Sequence, residues 1–126
     1  MDMVSVDYGE ILNGASVVMD KVQFIQGKYF LTTEAEEALE SLAGFLKSRP
    51  GLRIELSGHT DNVGNPDLNY ELSESRVKEV KRFLVNRGIS EDLISTRAFG
   101  GSQPIASNKY LDTRKLNRRV ELRIIE

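Results

Sequence analysis

Leu52-Arg53-Ile54-Glu55-Leu56-Ser57-Gly58-His59-Thr60-Asp61-Asn62-Val63-Gly64-Asn65-Pro66 is the stretch whose reading decides the fold. Leu52, Ile54 and Leu56 alternate with Arg53, Glu55 and Ser57, the period-2 pattern of a strand with one buried face. The loop from Gly58 to Pro66 is polar apart from Val63, and glycines and a proline on both sides of Asp61 mark a shaped turn. Beyond it, Asn69-Tyr70-Glu71-Leu72-Ser73-Glu74-Ser75-Arg76 leads into an apolar stripe at Val77, Val80, Phe83 and Leu84. A helix capped at Ser73 puts Arg76 in its first turn, so that a strand-end carboxylate and a helix-start guanidinium face one cleft. The cleft is suited to binding, and nothing in it is an obvious nucleophile.

Upstream, Thr33-Glu34-Ala35-Glu36 has the form of a capping box, followed by an apolar stripe at Ala35, Ala38, Leu39, Leu42, Phe45 and Leu46. Arg49-Pro50-Gly51 ends that helix and turns the chain into the strand, giving a strand-helix-strand unit. Lys21 to Phe24 is the expected preceding strand, with Val22 and Phe24 inward. Residues 1–21 read as short strands or an irregular lead-in, with a turn at Asn13-Gly14 and packing roles for Met3 and Met19.

Downstream, Gly88 suits the end of the second helix. Leu93 to Phe99 is the next expected strand, Asn108 to Leu116 a polar loop with a short helical start after Asp112 or Thr113, and Val120, Leu122 and Ile124 the inward side of a closing strand. A mixed β-sheet with two long helices packed on one face, an α/β sandwich, buries both helix stripes economically.

Size and composition narrow the function. The 126 residues and 14.2 kDa fit one domain with one core, here residues 22–126, and 40% hydrophobic with 29% charged residues excludes a disordered or fibrous chain. With 19 acidic against 17 basic residues there is no basic excess of the kind a general nucleic-acid binder carries. The absence of cysteine rules out disulfides, thiolate metal sites and cysteine nucleophiles, and a single histidine rules out a multi-histidine metal centre. No run approaches the roughly 20 apolar residues that span a bilayer.

Three spaced blocks carry a family resemblance. Gly58-His59-Thr60-Asp61-Asn62, then Asn69-x-x-Leu72-Ser73-x-x-Arg76-Val77-x-x-Val80-x-x-x-Leu84, then Asn117-Arg118-Arg119-Val120-Glu121 resemble the OmpA-like C-terminal domain, the peptidoglycan-associating module of envelope proteins. The blocks occur in family order and cover most of the chain from about Val22 onward. The resemblance implies the same α/β sandwich and a non-enzymatic role: holding the diaminopimelate-containing stem peptide of peptidoglycan. It implies no cofactor and no metal. It places the chain in the periplasm of a Gram-negative bacterium, at the outer membrane and cell wall, with other envelope proteins as further partners. Any membrane attachment then belongs to an upstream segment.

For individual residues, the reading of the sequence and the resemblance stand side by side. As a strand-end carboxylate, Asp61 either orders its own loop through Asx-type hydrogen bonds or holds a cation. The resemblance implies the second, with the amino group of diaminopimelate as the cation. Arg76 either pairs with a nearby acid such as Glu71 or Glu74 or offers its fork to a carboxylate, and the resemblance implies the ligand carboxylate. Thr60, Asn62, Asn69 and Arg119 are the implied shapers of the pocket, with Arg114 at its rim. Leu72 reads as packing, and Arg118 is counted in the basic cluster without a role of its own.

His59 reads as a structural histidine bridging loop groups rather than as a general base, because no nucleophile accompanies it. A metal set of His59, Asp61, Asp67 and Glu71 has no recognised ligand spacing. The chain departs from the family at Val77, where alanine is usual, and at Thr113 and Lys115, where glycine and alanine flank the arginine. An OmpA-like fold serving as a structural or protein-interaction module without peptidoglycan binding is the alternative.

Overall fold

The computed structural model describes residues 16–24 and 28–125. Its elements are β1 (Ser16–Val18), α1 (Thr33–Lys47), β2 (Arg53–His59), α2 (Pro66–Asn86), β3 (Ile94–Gly100), α3 (Leu111–Arg114) and β4 (Arg119–Ile125), with single 3-10 turns at Glu91–Leu93 and Lys115–Asn117. The strands form one mixed sheet in the order β1-β4-β2-β3, with β2 parallel to β3 and β4 antiparallel to both β1 and β2. Ile54 stands opposite Ile94 on one side and Ile124 on the other, and Leu56 opposite Leu122, so one face of the sheet is apolar. Both long helices pack there, burying Leu39, Leu42, Val80 and Leu84 against it. Each large aliphatic side chain so buried contributes about 1.5–3 kcal/mol.

The cap of α1 is Thr32, one residue before the expected Thr33. Its hydroxyl accepts from the Ala35 amide at 3.1 Å, so the box between Thr33 and Glu36 is not the arrangement formed. Of two adjacent threonines, the one with extended backbone at the chain's entry takes the cap.

The correction at α2 is larger. The helix starts at Pro66, not after Ser73, and Asn65 caps it by accepting from the amides of Asp67 and Leu68 at 2.8 and 3.2 Å. Proline suits the first helical position, where its missing N–H has no partner to lose. About two further turns therefore precede Ser73. Arg76 lies in the helix interior, on the same buried stripe as Ser73, Val77, Val80, Phe83 and Leu84.

The expected strand at Lys21 to Phe24 is also absent. Val22 closes a turn by donating to the Met19 carbonyl at 3.0 Å, and Val22 and Phe24 are buried without strand pairing. The fourth strand is β1, inside the stretch read as lead-in or short strands. Readings made for residues 1–15 and 25–27 lie outside the described residues.

Helix and sheet approach closely at Gly58. A Cβ there would stand 2.6 Å from the Ser73 carbonyl oxygen and 2.6 Å from Val77 Cγ1, distances that real Cβ atoms do not tolerate. The valine at position 77 is fully buried in this contact, and so tightens α2 against β2.

Candidate functional site

The end of β2 delivers three consecutive buried polar residues, His59, Thr60 and Asp61. The Thr60 amide donates to the Gly100 carbonyl at 2.9 Å, and the Thr60 hydroxyl donates to the Asp61 carbonyl at 2.7 Å. Gly101 passes so close that a Cβ would lie 2.8 Å from that same Asp61 oxygen. The Asp61 carboxylate is therefore aimed by its backbone. Its Oδ1 accepts from the Val63 amide at 3.0 Å, which orders the loop, and its Oδ2 accepts from Arg118 Nη1 at 2.8 Å. Asp61 thus orders its own loop, as one of its two readings has it, and is paired within the chain to Arg118.

Arg76 reaches this region from α2. Its Nε donates to the Lys28 carbonyl at 2.8 Å, and its guanidinium lies over the Phe24 ring, 4.9 Å from the centroid. Burial pushes its pKa down to about 10; Arg118 adds to the lowering and Asp61 opposes it. It remains cationic at neutral pH. Asp61, Arg76 and Arg118 thus form one electrostatically coupled set. The helix-start setting expected for Arg76 is replaced by a deeper one, where packing rather than a free helix end fixes the side chain.

The far wall is the excursion between β3 and β4. Asn117, fully buried, accepts from the Ile105 and Ala106 amides at 2.7 and 2.9 Å and donates to the Ala106 carbonyl and to Asn108 Oδ1. Asn108 Oδ1 in turn accepts from the Asn62 amide at 3.4 Å, joining this wall to the Asp61 loop. Arg114 donates to the Asn108 carbonyl and Thr113 to the Ser107 carbonyl, so both hold the excursion in shape. Asn69 donates to the Val63 carbonyl at 3.0 Å and fixes loop backbone. Ser73 accepts from the Gly100 amide at 2.9 Å, tying α2 to β3 behind the site.

Arg119 and His59 occupy the other side. Arg119 Nε pairs with Glu121 at 2.5 Å, while Nη1 and Nη2 donate to the Asn117 and Gln103 carbonyls. His59 stacks on Phe99 at 5.0 Å and 8°, and among the described residues neither ring nitrogen has a hydrogen-bond partner, so it bridges no loop groups as expected. A bulge between β2 and β3 supplies the stack: Gly58 faces Ala98 and His59 faces Gly100, leaving Phe99 as the extra residue. Burial, then the charge of Arg119, pushes the His59 pKa down to about 4 against the opposing Glu121.

The residue that sequence reasoning passed over is Arg118. The signal lay in strand alternation, because adjacent arginines at a strand entry point to opposite sides. Of the two, Arg118 is the one that pairs with Asp61. No group of three or more metal-ligating side chains converges among the described residues, and the set His59, Asp61, Asp67 and Glu71 does not assemble. No described helix is long and apolar enough to cross a membrane. The open hollow lined by Ser48 to Arg53 lies at the opposite end of β2.

A mixed four-stranded sheet with helices on one face, carrying a hydrogen-bonded charge cluster beyond the end of β2, defines an α/β sandwich module. The chain belongs to the OmpA family, whose sequence model matches residues 23–118. The peptidoglycan-binding protein ArfA of Mycobacterium tuberculosis is 43% identical over 86 residues, 68% of this chain and 26% of that protein. Outer membrane protein A of Bordetella avium is 37% identical over 112 residues, 88% of this chain and 58% of that protein. The crystal structure of the peptidoglycan-associated lipoprotein from Burkholderia pseudomallei matches with a TM-score of 0.79 at 27% identity, covering 82% of this chain and 88% of that one. The chain spans about a quarter of the length of ArfA and of several other relatives it matches.

Proposed function

We propose that this chain holds peptidoglycan non-covalently through the diaminopimelate of its stem peptide, and so anchors a parent envelope protein to the cell wall. The carrying observation is the buried Asp61 carboxylate, aimed by its backbone into a cluster with the guanidiniums of Arg118 and Arg76. Such a cluster suits a zwitterion: Asp61 takes the ligand ammonium, and Arg76 takes the neighbouring carboxylate. Thr60, Asn62 and Asn69 shape the loop. In this reading the arginine beside Asp61 is Arg118, and Arg119 frames the site through Glu121 and Gln103. The names of ArfA and of the Burkholderia lipoprotein support peptidoglycan as the ligand, and the Bordetella relative supports a place at the outer membrane of the periplasm. Many weak grips on one polymer make a durable attachment.

A second reading is favoured by one observation. Asp61 is already paired with Arg118 at 2.8 Å and is 3% exposed, as in a fold kept for structure or protein interaction.

Titration with a diaminopimelate-containing stem peptide separates the two. Wild type should bind saturably, and folded Asp61→Ala and Arg76→Met variants should lose binding by at least about tenfold each. No binding by folded wild type at millimolar peptide would select the second reading.

A further inference from the structure

We propose that Arg118, as the resident counter-ion of Asp61, sets the site's requirement for a carboxylate on its ligand. The inference rests on the stem-peptide reading above. Asp61 keeps lone-pair capacity: Oδ1 takes the Val63 amide and Oδ2 takes Arg118, and a carboxylate has about four acceptor positions. An incoming ammonium can therefore join Asp61 without displacing either donor. What it meets is a guanidinium already in place, in surroundings where the side chains of Arg118 and Asp61 are only 19% and 5% exposed. Like charges brought together in so poorly solvated a place repel strongly.

A carboxylate borne on the same carbon as the ammonium removes that repulsion. It presents its charge to the remaining donors of Arg118, whose buried Nε has no hydrogen-bond partner among the described residues. Arg76 faces the same charge. A side chain ending in a bare ammonium, as in a lysine-type stem, brings no such compensation. Arg118 thus excludes the wrong ligand by repulsion as well as recruiting the right one. The neighbouring Arg119 is unsuited to this part, since Glu121 and two carbonyls occupy all three of its nitrogens.

The test uses two stem peptides that differ only in carrying diaminopimelate or lysine at the same position, titrated into wild type, Arg118→Gln and Arg118→Lys. Arg118→Gln should narrow the preference for diaminopimelate by about tenfold, weakening that peptide and strengthening the lysine one. Arg118→Lys retains the charge and should retain most of the preference. A folded Arg118→Gln chain with the wild-type preference overturns the proposal. Should that variant fail to fold, arginine side-chain NMR of the wild type decides: the Arg118 Nε–H resonance should move on saturation with the diaminopimelate peptide, and an unmoved resonance overturns the assignment. Wild type that binds neither peptide overturns the stem-peptide reading itself, a result distinct from binding without dependence on Arg118.

Discussion

Arg118 and Arg119 are consecutive in the chain and opposite in circumstance. Arg119 is closed on every side, paired with Glu121 and donating to the carbonyls of Asn117 and Gln103. Arg118 faces the Asp61 carboxylate across the entrance to β4 and keeps donors to offer. Their partners at and just beyond the end of β2 divide in the same way, with His59 stacked on Phe99 on one side and Asp61 aimed at the charge cluster on the other. The exit of β2 and the entry of β4 thus build a sealed compartment and a more open one from adjacent residues. Burial alone does not distinguish the arginine proposed to bind from the one that frames. Saturation of its donors does.

The contrast is broken most severely by Arg119→Ala. Glu121 is then left partly buried without its partner and two carbonyls lose a donor, so stability to urea should fall by about 3–4 kcal/mol. In the folded fraction, affinity for the diaminopimelate peptide should change by less than about threefold. An undiminished urea midpoint would show that the compartment is not sealed by Arg119.

A somewhat smaller effect comes from His59. Its folded pKa of about 4 lies below the unfolded value of 6.5, so between those values the unfolded chain binds more protons. Stability should be intact above about pH 6.5 and decline as the pH falls towards 4, by about 2–3 kcal/mol in all. The replacement His59→Phe keeps the stack and should flatten that part of the curve, as measured by urea unfolding across the range. An unchanged slope in the variant would remove His59 from the explanation.

The smallest change sharpens the comparison from the receptive side. Asn65→Ala removes the cap of α2 and should cost about 1 kcal/mol. The turn that carries Asn69 should fray, seen as faster amide exchange at Asp67 and Leu68, while the His59 and Phe99 stack is untouched.

Much of this arrangement was legible in the sequence. Alternation at Ile54 and Leu56 and at Val120, Leu122 and Ile124 marked the two central strands, and the helical spacing of Leu39, Leu42 and Leu46 marked α1. The start of α2 was legible too, but in a different signal: Asn65-Pro66-Asp67 is a cap, a proline at the first helical position and an acid in the first turn. The first turns of α2 bury nothing before Ser73, so they carry no apolar stripe to reveal that start. Continuing the stripe of Val80 and Leu84 backwards by helical steps reaches Ser73 and Arg76, which places the arginine among buried positions. The Asp61–Arg118 pair was legible only in part: alternation sets the two arginines on opposite sides, but which of them meets Asp61 depends on the excursion between β3 and β4.

The antiparallel seating of β1 bears on how the molecule carries load. Ser16 lies opposite Arg123 and Val18 opposite Glu121, so the residue-16 end of β1 points away from the end of β4 where Asp61 and Arg118 meet. Under the proposed function, tension between a wall fragment at Asp61 and residue 16 would run along the strands. The interstrand hydrogen bonds of an antiparallel pair lie perpendicular to that direction. Load along the strands acts on them side by side, in shear, rather than peeling them apart one after another.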